Sequence, residues 1–190
     1  MVIIAFLIER GEMLSKIEDE LTKRKLVLEE IYDTMQSYIY TASIIISETI
    51  DKNNNIFIFG NGRNIFNVNN LAFSIRKIKN ATVESLCQDN ILLSEIANNY
   101  GCDRIYDKQI ELKAKEGDLL IGFSRTGNSK NVLRALSLGR NMECKTIGFS
   151  GCGGGAMDEF CDLNLVVPSD DRNIIFELHL LMCDIIIDFK

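Results

Sequence analysis

Histidine and proline are almost missing from this chain. Its 190 residues include one of each, His179 and Pro168. A single histidine excludes a metal site that takes two histidines from one chain. One proline, with no internal repeat and no low-complexity stretch, leaves no sign of a linker between domains. The length suits a single domain with a full core of its own.

The sequence also lacks closely spaced cysteine pairs and an excess of basic residues. Six cysteines occur at irregular spacings with no C-x-x-C pair, so we expect reduced, structural thiols rather than a zinc knuckle or a redox motif. The net charge of -6 disfavours sequence-independent binding to nucleic acid, which needs a basic surface. We therefore expect a cytoplasmic protein with no nucleic-acid partner and no membrane partner.

The apolar start of the chain, MVIIAFLIERGEM, does not have the make-up of a signal peptide. It lacks a basic n-region and a small-residue cleavage site, and it is too short to cross a bilayer. Two interpretations remain open: translation starts at Met13, or residues 1–12 form an apolar packing segment.

Apolar residues recur at helical spacing from Leu14 to about Ile50, which predicts one long helix or two helices joined near residues 38–41. Such a length exceeds that of an ordinary helix, so part of it is expected to pack on a second subunit. We therefore divide the chain into an N-terminal helical segment for oligomerisation (1–50) and a following domain (51–190).

The rest of the chain alternates between short apolar runs and helical segments. The runs that predict strands are 56–59, 82–86, 119–123, 145–149 and 163–167. The predicted helices are 65–79, 89–99, 105–115, 129–141, 155–160 and an apolar final helix from Arg172. This alternation indicates an α/β fold: a doubly wound, Rossmann-like sheet of five parallel strands flanked by helices.

Two loops that follow predicted strands carry small polar residues and glycine. Residues 60–64 read GNGRN, and residues 124–129 read SRTGNS. Glycines allow close backbone approach, amides at a helix N-terminus attract anions, and hydroxyls donate to phosphate oxygens. We therefore predict a phosphate site, although Ser129 or Asn128 acting as an ordinary N-cap remains open. Neither loop is a Walker A motif or a G-x-G-x-x-G motif.

Four stretches together, GNG, NNYGCDRIYDKQI, EGDLLIGFSRTGNSKNV and GGGAMDEFCDLNLVVPSDD, resemble the sugar isomerase (SIS) domain. Within it the chain is most similar to the phosphoheptose isomerases, which isomerise sedoheptulose 7-phosphate for surface-polysaccharide assembly. The resemblance implies a homotetramer, a dimer of dimers, with active sites shared between subunits. It also implies the binding residues. The phosphate contacts are Ser124, Arg125, Thr126, Asn128 and Ser129, while Asn61, Gly62 and Asn64 line the first loop and Asp89 stands near the sugar.

The phosphoheptose isomerases hold zinc, and the resemblance places its ligands at four positions. In the family a histidine and a glutamate lie on the helix after the first loop, and a glutamine and a histidine lie on the last helix. The aligned residues here are Asn70, Ser74, Phe176 and Asp184. Since all four residue types have changed, we expect no metal and no other cofactor.

Glu177 and His179 are the candidates for the proton transfer that an aldose–ketose isomerisation needs. Spaced by two on a helix, they lie about 200° apart and cannot both face one substrate from one subunit. Each could still serve a different site of a shared-site oligomer. Glu177 also resembles the metal-free base of the 6-phospho-3-hexuloisomerases. The alternatives are a histidine packed between helices and a glutamate paired with Arg172 or Arg63.

Further charged residues lie around the predicted site. Arg63 and Arg125 stand where relatives have small residues, and they add positive charge for an anionic sugar, unless they point into solvent. Asp170, Asp171 and Asp184 read most simply as capping residues of the final helix. The glycine-rich run SGCGGGAM is expected to be a flexible turn into a helix.

Two functions remain open at this point. The first is a phosphosugar isomerase that acts on a ketose phosphate such as sedoheptulose 7-phosphate. The second is a non-catalytic protein that binds a phosphosugar, either to regulate a partner or to assemble with an active isomerase. In both, the ligand is a small sugar phosphate.

Overall fold

The computed structural model describes residues 2–188, with side chains from Gly11 onward. Side chains of the apolar start (1–10), for which a packing role was one expectation, lie outside the described residues. The helices of the described chain are α1 (Val2–Thr34), α2 (Gln36–Asp51), α3 (Asn64–Arg76), α4 (Asn90–Tyr100), α5 (Asp107–Lys113), α6 (Lys130–Asn141) and α7 (Arg172–Asp188). Short 3-10 turns cover Cys102–Arg104 and Gly155–Glu159.

The N-terminal helical segment bends at Met35, a few residues before the predicted junction. Hydrogen bonds from Met35 N–H to the Ile31 carbonyl and from Ile39 N–H to the Met35 carbonyl run through the bend, each at 2.9 Å. The interruption is therefore a change of direction between α1 and α2. It lets α2 pack on the sheet while much of α1 stays outside the core.

The sheet confirms the predicted fold. Its strands are β1 (Asn55–Gly60), β2 (Thr82–Ser85), β3 (Leu119–Ser124), β4 (Lys145–Ser150) and β5 (Leu163–Val166), all parallel in the order β2-β1-β3-β4-β5. The order reverses direction between β1 and β3. Such a switch point opens a crevice beyond the carboxyl ends of the strands, which is where ligands bind in sheets of this kind.

The centre of the core is built from aromatic residues of the three middle strands. Phe59, Phe123 and Phe149 are essentially inaccessible to solvent, and the rings of Phe123 and Phe149 stack at 4.4 Å between centroids. Burying a side chain of this kind stabilises the fold by roughly 2–3 kcal/mol. The packed strands therefore give a rigid base for the loops at their carboxyl ends.

The last two predicted helices differ in outcome. The predicted helix 155–160 is a 3-10 turn over Gly155–Glu159 instead of an α-helix, since the positive φ angles of Gly153, Gly154 and Gly155 commit that stretch to tight turns. The final helix is α7, as predicted from Arg172, and its apolar side is buried against α2 and α3. No described helix is long and apolar enough to span a membrane.

Much of the apolar side of α1 is not covered within one chain. Leu14, Ile17 and Leu21 are each about half exposed or more, at 57%, 49% and 62%. Exposed apolar residues in a row along one helix are typical of a surface that packs on another molecule. The assignment of residues 1–50 to oligomerisation remains a prediction.

Candidate functional site

The site lies at the switch point of the sheet. Gly60 at the end of β1 pairs in register with Phe123 near the end of β3, so the two predicted loops leave the sheet side by side. A side chain at Gly60 would place its Cβ 2.8 Å from the Phe123 Cβ, which is closer than packed atoms allow. Gly62 adopts a φ of 57°, a conformation that favours glycine.

The two loops are joined by a reciprocal pair of amides. Asn61 Nδ2 donates to Asn131 Oδ1 at 2.8 Å, and Asn131 Nδ2 donates back to Asn61 Oδ1 at 3.0 Å. The Tyr106 hydroxyl donates to the Gly60 carbonyl at 2.6 Å and lies 3.3 Å from Asn61 Oδ1. Burial raises the pKa of Tyr106, so the hydroxyl keeps its proton and remains a donor. This network holds Asn61 in one orientation.

Sequence reasoning missed Asn131 and Tyr106. Both stand in stretches that carried the family resemblance, but nothing local in those stretches shows which side chains they meet. Asn131 lies 70 residues from its amide partner, and Tyr106 lies 45 residues from Asn61.

The SRTGNS loop presents free donors at the start of α6. Ser124 Oγ donates to Ser129 Oγ at 2.9 Å and accepts from the Ser129 N–H at 3.2 Å. The Ser129 side chain makes no capping hydrogen bond. Within the described chain, the N–H groups of Lys130 and Asn131 donate to no protein acceptor. A helix of 12 residues with open N–H groups beside two hydroxyls is suited to an anion.

The SRTGNS loop also packs on the glycine-rich turn after β4 and is hydrogen-bonded to it. Asn128 Oδ1 accepts from the Ala156 N–H at 3.0 Å, while Asn128 Nδ2 donates to the Thr126 carbonyl at 2.9 Å. A Cβ at Gly127 would lie 1.7 Å from the Gly154 carbonyl oxygen. The glycine-rich turn is therefore a close-packing support for the SRTGNS loop, and Asn128 holds the loop's shape through backbone contacts.

A cavity of about 210 Å³ adjoins the loops and is lined by three arginines: Arg63, Arg125 and Arg172. Asn61, Gly62 and Asn64 line it from the first loop, and Ile175 and Phe176 of α7 form an apolar wall. The contributions of Arg172, Ile175 and Phe176 were not predicted, because only the placement of α7 brings them beside the first loop.

His179 lies inside the core and does not line this cavity. Its side chain is fully buried, with the edges of the Phe123 and Phe149 rings against it and Nε2 at 2.9 Å from the Ser150 carbonyl. Burial lowers its pKa from 6.5 to about 4, so the ring is neutral at pH 7. The position favours the alternative of a packed histidine, and a catalytic role for His179 stays a prediction.

Glu177 pairs with a residue that the sequence did not indicate. Arg24 of α1 donates to both carboxylate oxygens of Glu177, at 2.8 and 3.1 Å. The proposed partners Arg172 and Arg63 were wrong, since neither forms a salt bridge with Glu177 in the described chain. Glu177 does not line the arginine cavity of its own protomer, and its catalytic role stays a prediction.

Two predicted acidic residues act as helix caps. Asp89 follows β2 and accepts from the Leu92 N–H at 2.9 Å. It does not line the arginine cavity, and its contact with a sugar remains a prediction. Asp171 accepts from the N–H groups of Asn173 and Ile174, in agreement with its expected capping role. Asp184 is different, because it lies on the exposed side of α7 rather than at its start.

Two of the four positions that the resemblance aligns with the zinc ligands of the phosphoheptose isomerases, Asn70 and Asp184, meet at the α3–α7 contact. Asn70 Nδ2 donates to Asp184 Oδ1 at 3.2 Å, while Phe176 packs on Phe66 with 5.9 Å between ring centroids. An amide nitrogen, a phenyl ring and the hydroxyl of Ser74 are not ligands that zinc takes. Among the described residues no group of three histidine, cysteine or acidic side chains is arranged to hold a metal. These residues do not fit the family's zinc site.

The fold and this site together define a class, the SIS-domain proteins. The SIS domain family matches residues 21–151, more than half of the chain. Two solved phosphoheptose isomerase structures share the fold: that of Neisseria gonorrhoeae has a TM-score of 0.89 at 23% identity, covering 93% of this chain and 97% of that one. That of Francisella tularensis has a TM-score of 0.85 at 24% identity, covering 92% and 98%.

Within this class, sequence relatives identify the particular family. The phosphoheptose isomerase of Aliarcobacter butzleri is 39% identical over 183 residues, which are 92% of this chain and 97% of the relative. That of Nitratiruptor is 34% identical over 175 residues, 90% of this chain and 94% of the relative. The chain belongs to the phosphoheptose isomerase family of SIS-domain proteins.

Proposed function

We propose that this protein is a phosphosugar isomerase of the phosphoheptose isomerase type, which interconverts an aldose phosphate and a ketose phosphate such as sedoheptulose 7-phosphate. The observation that carries the proposal is the pair of loops at the switch point. Open N–H groups and hydroxyls of the SRTGNS loop adjoin a cavity lined by arginine and asparagine. In this arrangement a phosphate lies at the start of α6 and the sugar extends toward Asn61.

Residues of this chain can bind and orient such a substrate. Ser124, Ser129 and the start of α6 hold the phosphate. The Asn61 amide, fixed by Asn131, presents its remaining N–H to a sugar oxygen. Since Phe176 and Ile175 form one wall, the cavity is partly apolar, which strengthens the hydrogen bonds made inside it.

Proton transfer needs a base that one protomer does not supply in its cavity, because the lining contains no carboxylate and no histidine among the described residues. We propose Glu177 for this role, acting on the cavity of a neighbouring subunit. The Glu177 side chain is 41% exposed in one chain, and its carboxylate is held in place by Arg24. The base would remove a proton beside the carbonyl carbon and return it to the adjacent carbon.

Deuterium exchange tests this function. The protein is incubated in heavy water with a panel of sugar phosphates and a chelator, and proton NMR follows the carbon beside the carbonyl. An isomerase incorporates deuterium into one sugar of the panel, which names the substrate. Glu177→Gln should lower the rate by roughly 100-fold or more. Glu111→Gln removes another carboxylate that is paired with a basic side chain, Lys108, and should leave the rate unchanged.

A non-catalytic phosphosugar-binding protein is the second candidate, favoured by the lack of a proton-transfer group in the cavity lining. In that case sugar resonances broaden on binding but no deuterium is incorporated. If the Glu177→Gln variant incorporates deuterium at the unchanged rate, the protein is an isomerase whose base is not Glu177.

We also propose a homo-oligomer, a dimer of dimers, in the cytoplasm. The exposed apolar side of α1 supports the assembly. The thiols of all six cysteines are free, which suits a reducing compartment.

A further inference from the structure

The proposed isomerisation builds negative charge on one oxygen of the sugar. When a base removes the proton from the carbon beside the carbonyl, the C–H electron pair forms a C=C bond and the carbonyl π pair passes to the carbonyl oxygen, giving an enediolate. The hydroxyl proton of the neighbouring carbon then passes to that oxygen, and the neighbouring oxygen forms the new C=O bond. The C=C pair takes the proton back from the base at the former carbonyl carbon. Donors fixed in advance at the charged oxygen contribute strongly to such a reaction.

The start of α3 offers different donors from the start of α6. At α6 the N–H groups of Lys130 and Asn131 are open, which suits a phosphate. At α3 the first three N–H groups already donate to the carbonyls of residues 61–63, each at 3.1 Å. The donors that this helix start keeps for a ligand are therefore side chains, those of Arg63 and Asn64, and both residues line the cavity.

Arg63 is held in a defined position. Its Nη1 donates to Asn173 Oδ1 at 2.7 Å, and its guanidinium carbon lies 4.0 Å from the centroid of the Phe176 ring. It is not among the arginines that form salt bridges in the described part of the chain. A guanidinium has five N–H groups in a planar fork, so charge and several donors remain for a ligand in the cavity.

Asn64 adds a second, neutral donor. Only 8% of this residue is exposed, yet its side-chain amide forms no hydrogen bond with any residue that the structure describes. Buried amides normally have a partner, and because Asn64 lines the cavity, a bound ligand can supply one. Since Arg63 and Asn64 are adjacent and line one cavity, a single sugar oxygen can accept from both.

We infer that Arg63 and Asn64 are the donor pair that binds the carbonyl oxygen of the sugar and stabilises its charge in the enediolate. This inference rests on the proposed function and adds two catalytic residues to it. The substrate keeps its single phosphate, which lies at the start of α6. The apolar wall of Ile175 and Phe176 strengthens the hydrogen bonds of the pair, because interactions with charge are stronger where water is excluded.

Two probes with one phosphate each separate recognition of the carbonyl oxygen from recognition of the phosphate. The first, 6-phospho-D-altronohydroxamate, copies the two oxygens of the enediolate of sedoheptulose 7-phosphate. The second is a heptitol 7-phosphate, made by reducing that sugar phosphate, and it has no carbonyl. In calorimetric titration Arg63→Gln should weaken the hydroxamate by about 100-fold and the heptitol phosphate by less than about threefold.

Two further variants test the second donor and the specificity of the effect. Asn64→Ala removes one neutral donor and should weaken the hydroxamate by about tenfold, again with little effect on the heptitol phosphate. Arg76→Gln is the matched control, since Arg76 is an exposed arginine of α3 that does not line the cavity, and it should change neither affinity. Circular dichroism checks that each variant folds.

Kinetics give a second readout, with whichever sugar phosphate incorporates deuterium in the panel described above. Arg63→Gln should lower kcat by about 100-fold and leave KM within about threefold, because the oxygen carries its charge only after the proton has left. Arg63→Lys keeps the charge but loses the planar fork, so it should retain more of the rate than Arg63→Gln.

Two results would overturn the inference and leave the proposed function standing, provided that the natural protein exchanges deuterium. Equal weakening of both probes by Arg63→Gln, with KM raised and kcat unchanged, would assign Arg63 to the phosphate. Unchanged hydroxamate affinity and unchanged kcat in Arg63→Gln and Asn64→Ala would remove both residues from the chemistry. If the natural protein binds neither probe and exchanges no sugar of the panel, the proposed function is lost and this inference with it.

Discussion

Acid should destabilise this protein through His179. The ring is fully buried beside the stacked rings of Phe123 and Phe149, and burial lowers its pKa from 6.5 to about 4. Protonation is therefore easier in the unfolded chain than in the folded one. The stability linked to the neutral ring is fully present above about pH 6.5 and is lost as the pH falls toward 4.

The size of the effect follows from the two pKa values. A shift from 6.5 to about 4 corresponds to about 3 kcal/mol when the loss is complete. At pH 5 the unfolded histidine is mostly protonated and the folded one mostly neutral, so about 2 kcal/mol should already be lost. Because a domain is stable by only about 5–15 kcal/mol, this loss is measurable.

The contribution of His179 to the free energy of unfolding is isolated by comparing the natural protein with His179→Gln. Both are unfolded with urea at several pH values between 7.5 and 4.5. Carboxylates also titrate in this range, but they do so in both proteins and cancel in the difference. Glutamine can still donate to the Ser150 carbonyl, which His179 contacts through Nε2. From pH 7.5 to pH 5 the free energy of unfolding of the natural protein should fall by about 2 kcal/mol relative to that of the variant. A constant difference would refute the argument and place the ring in contact with solvent.

Three other substitutions test the packing of the site and the subunit. Gly127→Ala should destabilise the protein by more than about 2 kcal/mol in urea, since its φ is 66° and its Cβ would lie 1.7 Å from a carbonyl oxygen. Gly153→Ala, with a φ of 74° and open space around it, is the control, and equal losses would exclude the steric clash. Tyr106→Phe removes the hydroxyl donor of a buried carbonyl and should cost about 1–2 kcal/mol; no loss would mean that the nearby Cys87 thiol is a sufficient donor. Leu21→Glu places a charge on the exposed side of α1 and should dissociate the proposed oligomer in light scattering; an unchanged mass would exclude this part of α1 from the interface.

Local patterns were enough to predict most of the fold. Apolar runs of strand length separated by helical segments indicated the five parallel strands, and their bounds agree with the structure to within one residue at every end. The loops at residues 60–64 and 124–129 were placed at the carboxyl ends of neighbouring strands. That placement follows from topology, since parallel strands carry their following loops to the same edge.

Partners distant in sequence were predicted poorly. Arg24 and Glu177 are 153 residues apart, and nothing near either residue indicates their pairing. The helix junction was predicted at residues 38–41 but lies at Met35, since helix periodicity is insensitive to where a helix changes direction. The 3-10 turn at Gly155–Glu159 was predicted to be an α-helix. The family resemblance assigned phosphate contacts to residues of the SRTGNS loop, but it could not show that Asn128 turns toward the glycine-rich turn after β4.

The sequence by itself determined the strand and helix pattern and the small, polar, glycine-containing make-up of the two loops, because these depend on residues that are neighbours along the chain. Only the tertiary structure decided which side chains share a cavity. The packing of α7 across α2 and α3 buries His179, directs Glu177 to Arg24 and brings Arg172 and Phe176 beside Arg63. These outcomes depend on the direction in which each side chain leaves a packed helix, and that direction is settled only when the apolar side of α7 is buried.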